Sequence, residues 1–350
     1  MGVLLFHSFG AFDSQPIWTP LEPVRRAAGT GWLGLHLFFV ISGYCIFERL
    51  ATSGARGETA RAFWADRFLR IYPTYWAVLA FTVALNLAAW PFNRSHLAGN
   101  LPASLVALFG DISLLHGLVG SPPLVLVSWT LTCEVSFYLL AGLLLALSRG
   151  SARLLPAFVI GLALCGAAIV APGGHWFMPL LLWPDFFAGA CVSFALRAAA
   201  GRDRRLLAAS LGALAALSAG ALGRVGNIGS EAHRAAFGFA WVLLGLYRWD
   251  GFLDGLPPVR LLAWIGTFSY SLYLIHVQIL SRVMNLGTRV VPPASAGFAL
   301  LWLAAVATAT AGGWYFWRVV EQRCERYRSR RRALRRGAAV TGPPLFVSPT

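Results

Sequence analysis

Residues 128–147 read SWTLTCEVSFYLLAGLLLAL, an apolar run of twenty residues with a single charged side chain, Glu134. As a helix it covers about 30 Å, the thickness of a bilayer's hydrocarbon core. A carboxylate at that depth costs about 3 kcal/mol unless it faces the interior of a bundle or a water-filled cavity. The pattern recurs along the chain. His36 sits in GWLGLHLFFVISGYCIF (31–47), His276 in LAWIGTFSYSLYLIHVQIL (262–280) and His7 in the opening MGVLLFHSF. Ionisable groups placed one at a time inside apolar helices point to chemistry or transport within a membrane.

Composition fixes the class. Apolar residues make up 57% and charged residues 12% of the 350, and the mean hydropathy is +0.64. Apolar windows of about 17–25 residues recur throughout, and fourteen Trp fit interfacial belts. The expected fold is all-α: a polytopic transmembrane bundle of about ten spans with one re-entrant segment. The spans are placed at 1–12, 31–48, 69–90, 125–147, 154–171, 177–197, 206–222, 235–249, 261–281 and 296–317. Residues 1–318 form one membrane domain, and residues 319–350 form an Arg-rich tail whose distal part is expected to be disordered.

The net charge of +15 does not indicate nucleic acid, because the basic residues, every one of them Arg, are dispersed between the spans. Five scattered cysteines form no CxxC pair, so neither a disulfide framework nor a metal site follows. The first residues lack a signal peptide's basic region and cleavage site, and are too short to span. The first helix is therefore expected to begin upstream of Met1.

Arginine positions set the orientation. Segments 49–70, 149–153, 197–205 and 318–336 carry the Arg clusters and should be cytoplasmic. Alternating crossings satisfy all four only if the apolar piece 101–119, which carries Asp111 and His116, does not cross. Both termini then lie in the cytoplasm of a multi-pass protein of the inner (plasma) membrane. His36, Glu134 and His276 fall on the outer side of the midplane, His276 near the outer end of its span, and Arg67 and Arg70 on the inner side.

Four motifs stand in order: FFVISG (38–43), RFLRIYPTYW (67–76), SWTLTCEVSFYLL (128–140) and FSYSLYLIH (268–276). Together they resemble the acyltransferase-3 family of integral membrane O-acyltransferases. The resemblance covers essentially the whole chain. It implies transfer of an acyl group, commonly acetyl, from cytoplasmic acyl-CoA to a hydroxyl, usually of a sugar. The family's first helix carries a basic residue about ten positions before its catalytic His, and only six residues precede His7 here.

The residues assemble into expected roles. His7 is a general base, for which an imidazole suits neutral pH. Glu134 and His276 complete the catalytic set. Arg67 and Arg70 share a helix face at i and i+3, and with Arg61 could hold the phosphates of acyl-CoA. His36, Ser42, Trp129, Tyr138 and Ser271 are candidates for binding the acceptor, a carbohydrate or glycosylated small molecule. No bound cofactor and no metal are expected; the partners are acyl-CoA, the acceptor and the bilayer. The alternative reading is a proton-coupled transporter or flippase using the same His and Glu as a relay.

Overall fold

The computed structural model describes residues 1–10, 16–55, 58–89, 101–102, 104–147, 154–172 and 178–335, and every regular element among them is helical. The helices used below are α1 (Gly2–Phe9), α2 (Leu33–Ala55), α3 (Ala60–Ala89), α4 (Leu105–Ser113), α5 (Trp129–Leu147), α6 (Leu154–Val170), α7 (Trp183–Ala200), α8 (Arg204–Leu222), α9 (Glu231–Leu246), α10 (Pro257–Thr267), α11 (Ser269–Gly287), α12 (Gly297–Phe316) and α13 (Gln322–Arg335). Five stretches among the described residues are long and apolar enough to cross a membrane: Thr19–Ser53, Ala60–Ala88, Leu126–Leu147, Arg204–Leu222 and Gly297–Leu334. Of the other expected spans, 154–171 coincides with the shorter apolar helix Pro156–Val170, and 1–12, 177–197 and 235–249 overlap α1, α7 and α9. This is an all-α, multi-pass membrane bundle. The distal tail lies outside the described residues.

Helix α7 is the axis of the larger core. Residues Trp183 to Ala195 are buried without interruption, so the helix meets protein on every side rather than lipid. Small residues permit this. Gly189 of α7 lies against the Val40 carbonyl, and Gly43 of α2 lies against the Phe186 carbonyl, so closely that a methyl group at either position would overlap backbone. Close backbone approach at Gly is how apolar helices gain dispersion contact when no hydrophobic drive separates them from lipid. The SG of the FFVISG motif is thus a helix-packing site. Phe47, Phe137, Phe186 and Phe194 fill the space around it.

Segment 101–119 does not cross. Helix α4 has nine residues, about 14 Å, less than half a hydrocarbon core. The chain reverses at Leu114 and Gly120, both with positive φ (61° and 65°). Motif RFLRIYPTYW explains how this short helix is tolerated. The Tyr72 hydroxyl donates to the Ser113 carbonyl (3.0 Å), the Tyr75 hydroxyl to Asp111 (2.7 Å) and the Trp76 indole to Ile112 (2.9 Å). Three consecutive end carbonyls, which lipid could not satisfy, are satisfied by α3.

One expected span divides. Residues 261–281 do not form a continuous helix: Phe268 (φ −114°, ψ 13°) separates α10 from α11. At the break, Thr267 and Ser269 hydroxyls turn back to the Trp264 and Gly266 carbonyls. Local Ser/Thr bonds compete with the helix ladder and end α10 there. The consequence is positional. Helix α11 runs on to Gly287, so His276 lies near its middle and not near its end.

Candidate functional site

A cavity of about 200 Å³ lies between α1, α2, α3, α5 and α11. Its wall includes Arg70 from α3, Thr130 and Glu134 from α5, and Ser269, Tyr270, Tyr273 and His276 from α11. Leu35 and Phe38 of α2 and Val3 and Leu4 of α1 supply the apolar side. Four of the charged or imidazole groups expected to act together are therefore adjacent, since the His7 ring lies 5.3 Å from that of His276, centroid to centroid.

Helix α1 is fixed by its end. Ser8 accepts the Trp302 indole N–H at 2.9 Å, and Phe9 stacks on the same Trp at 5.2 Å. His7, one residue back, is thereby held beside α11. The His276 tautomer follows from its partners. Nδ1 faces two carbonyl oxygens, Tyr273 at 2.7 Å and Leu272 at 3.1 Å. Carbonyls only accept, so Nδ1 carries the proton and Nε2 keeps a lone pair. That Nε2 is buried and has no hydrogen-bond partner among the described residues, an uncommon state for a buried polar atom.

Glu134 accepts a short hydrogen bond from Tyr138, one turn along α5. The Tyr138 ring in turn lies under the Arg67 guanidinium at 5.2 Å, with Phe63 at 5.4 Å on the same cation. Arg70 lines the cavity and Arg67 lies one turn before it on α3, and neither makes a hydrogen bond or ion pair with a described residue. Tyr270 donates to the Ile71 carbonyl at 2.9 Å, tying α11 to α3 beside Arg70. Arg61, in the first turn of α3, is exposed and stands apart.

The remaining candidates lie elsewhere. Ser271 is engaged structurally: its hydroxyl and its N–H (3.1 Å) both go to the buried Glu321 carboxylate, which caps the first turn of α11 from beyond α12. Ser42 is buried against the α2–α7 contact. Trp129 lines a second cavity with His116, Ser121, Thr132 and Cys133. There Ser128 Oγ lies 3.0 Å from His116 Nε2, and His116 Nδ1 lies 3.5 Å from Asp111. The Ser128 side chain is wholly buried and the His–Asp contact is long, so this set braces the α4 loop and does not present a nucleophile.

His36 forms a different group. Its Nδ1 lies 2.5 Å from one oxygen of Asp185, and His233 Nδ1 lies 2.5 Å from the other. The three residues come from the first turns of α2, α7 and α9 and are the one potential metal-ligand group among the described residues. The donor set suits a divalent metal. The geometry favours shared protons: each carboxylate oxygen has its own imidazole at hydrogen-bond distance, and three positive helix N-termini oppose a cation. Sequence reading missed Asp185, His233 and Glu321. His233 and Glu321 fall just outside the expected spans, where a charge reads as an ordinary loop residue, whereas Asp185 lay inside the expected span 177–197 and was passed over.

A polytopic helical bundle that lines one cavity with Arg70, Glu134 and His276, and sets His7 beside it, has the architecture of a membrane enzyme. The acyltransferase domain family matches residues 1–318. The chain belongs to the acyltransferase-3 family and is an acyl-transferring membrane enzyme. It is 28% identical over 357 aligned residues to the acyltransferase MdmB of Streptomyces mycarofaciens, covering 92% of this chain and 87% of that protein. It is 30% identical over 147 residues to the peptidoglycan O-acetyltransferase OatA of Listeria monocytogenes, covering 39% of this chain and 24% of that protein. No solved structure matches the chain. The enzyme reading displaces the transporter reading.

Proposed function

We propose that this chain moves an acyl group, acetyl by preference, from cytoplasmic acyl-CoA to a hydroxyl of an extracytoplasmic or lipid-linked sugar or glycosylated metabolite, in the plasma membrane with both termini cytoplasmic. The observation that supports this most is the single cavity running from Arg70 past Glu134 to His276, with His7 beside it. The donor enters at the arginine end and the acceptor at the histidine end.

In this reading His7 is the general base and His276 its orienting partner. With acceptor bound, the His7 ring, 5.3 Å from that of His276, turns its N–H to the unpaired His276 Nε2, which leaves the other His7 nitrogen free to take a proton. As the acceptor oxygen bonds to the thioester carbon, His7 removes the hydroxyl proton; the C–S bond breaks and the thiolate of CoA leaves, receiving that proton from His7. Glu134 balances the imidazolium that forms in between. Such a base contributes about 10²–10⁴ in rate. Mass-spectrometric detection of CoA release that depends on acceptor, with label appearing on the glycan, tests the reading. Acceptor-independent hydrolysis without glycan labelling would sink it.

A further inference from the structure

Helix α13 packs against α3 at the arginine end of the cavity. Arg332 forks onto the Asp66 carboxylate (Nε to Oδ1 2.5 Å), which fixes the helix. Arg328, one turn earlier, is different. It is partly buried, within electrostatic reach of Arg70 and Arg332 and also of the Asp66 and Glu325 carboxylates, and its Nε–H is buried with no acceptor among the described residues. Arg67 Nε–H is orphaned in the same way, and neither cation has a carboxylate within ion-pair distance among the described residues. Arg67 and Arg70 of α3 and Arg328 of α13 thus carry no hydrogen-bonded or ion-paired carboxylate among the described residues, although Glu134 and Glu321 lie within electrostatic reach of Arg70.

Buried donors without acceptors are costly, and like charges in reach of one another add to the cost. An anion with many acceptor oxygens removes both penalties, and guanidinium forks fit phosphate. We propose that Arg328 completes the donor site and holds the 3′-phosphate of the CoA nucleotide, while Arg67 and Arg70 hold its diphosphate. The order follows from the path: Arg70 lines the cavity through which the acyl-pantetheine arm must pass, and Arg328 lies outside it. The tail helix is then part of the substrate site and not only a positive topology signal. This rests on acyl-CoA being the donor.

The test measures equilibrium binding of CoA and of dephospho-CoA, which lacks the 3′-phosphate, to the full-length protein in nanodiscs. Wild type should bind CoA more tightly than dephospho-CoA. Arg328→Gln should raise the Kd for CoA about tenfold or more and erase the preference, as loss of a charge-assisted contact implies. Arg328→Lys should keep part of it, which separates charge loss from misfolding, and exposed Arg330→Gln should change nothing. Arg328→Gln with wild-type affinity and preference overturns the proposal. So does loss of co-purified phosphatidylglycerol with CoA binding intact, which would give the site to a lipid phosphate. If wild type binds no CoA, the donor reading itself fails.

Discussion

Replacing Gly43 by Ala tests the packing that holds the helices together. In α2, Gly43 faces the Phe186 carbonyl of α7, and the added methyl would lie far inside contact with that oxygen. Carbon–oxygen contacts rest at about 3.3–3.6 Å, so the helices must part by more than an ångström. Overpacking of this kind costs about 1–3 kcal/mol, and the separation also strains the 2.5 Å His36–Asp185 bond seven residues up the same helix. Melting of the detergent-solubilised protein should fall by roughly 2–8 °C, and Gly189→Ala should behave alike, for its methyl would meet the Val40 carbonyl. The controls are Gly212→Ala and Gly238→Ala, helical glycines with nothing within contact distance of the added carbon. These should be neutral or stabilising by up to about 1 kcal/mol. Wild-type melting in Gly43→Ala, with the controls unchanged, would refute the close α2–α7 approach.

Glu134→Gln keeps the volume and removes the charge; transfer should fall at least about tenfold, equal to ~1.4 kcal/mol of transition-state stabilisation, with melting near wild type. Ser271→Ala should cost about 1 kcal/mol of stability through loss of the Glu321 contact, read by thermal melting, and leave the Km for acyl-CoA unchanged. Asp185→Asn breaks a buried charged group and should destabilise by about 3–5 kcal/mol, seen as loss of folded protein on size-exclusion chromatography. Cys45 is exposed and continues the cavity-lining face of α2 seven residues beyond Phe38; CoA should slow its alkylation, measured by intact mass.

Apolar length alone exposed the bundle, because backbone in lipid must satisfy itself and only helices of that length do so. The non-crossing of 101–119 was also legible, since arginine parity leaves it no alternative. The break at Phe268 was not. Thr267 and Ser269 flank it inside an otherwise apolar run whose mean hydropathy gives no sign of a break; their hydroxyl bonds end the helix locally. Within the site, Glu134, His276 and His7 stood out as single polar groups in apolar runs, and the fold brings them together. His36 stood out equally and belongs to another cluster, because its partner Asp185 lies 149 residues away and only the glycine-mediated α2–α7 contact reveals it. Ser271 and Tyr138 read as ligands for a substrate; they are held by Glu321 and Glu134, partners that spacing alone suggests only for the second.

In the proposed reaction His7, oriented by His276, takes the acceptor's proton. The direct measurement is single-turnover transfer from acetyl-CoA by purified His7→Gln and His276→Gln proteins, alongside their CoA binding. His7→Gln should lower the rate at least about 100-fold, His276→Gln should lower it less, and both should bind CoA as wild type does. Transfer at the wild-type rate by His7→Gln would contradict it.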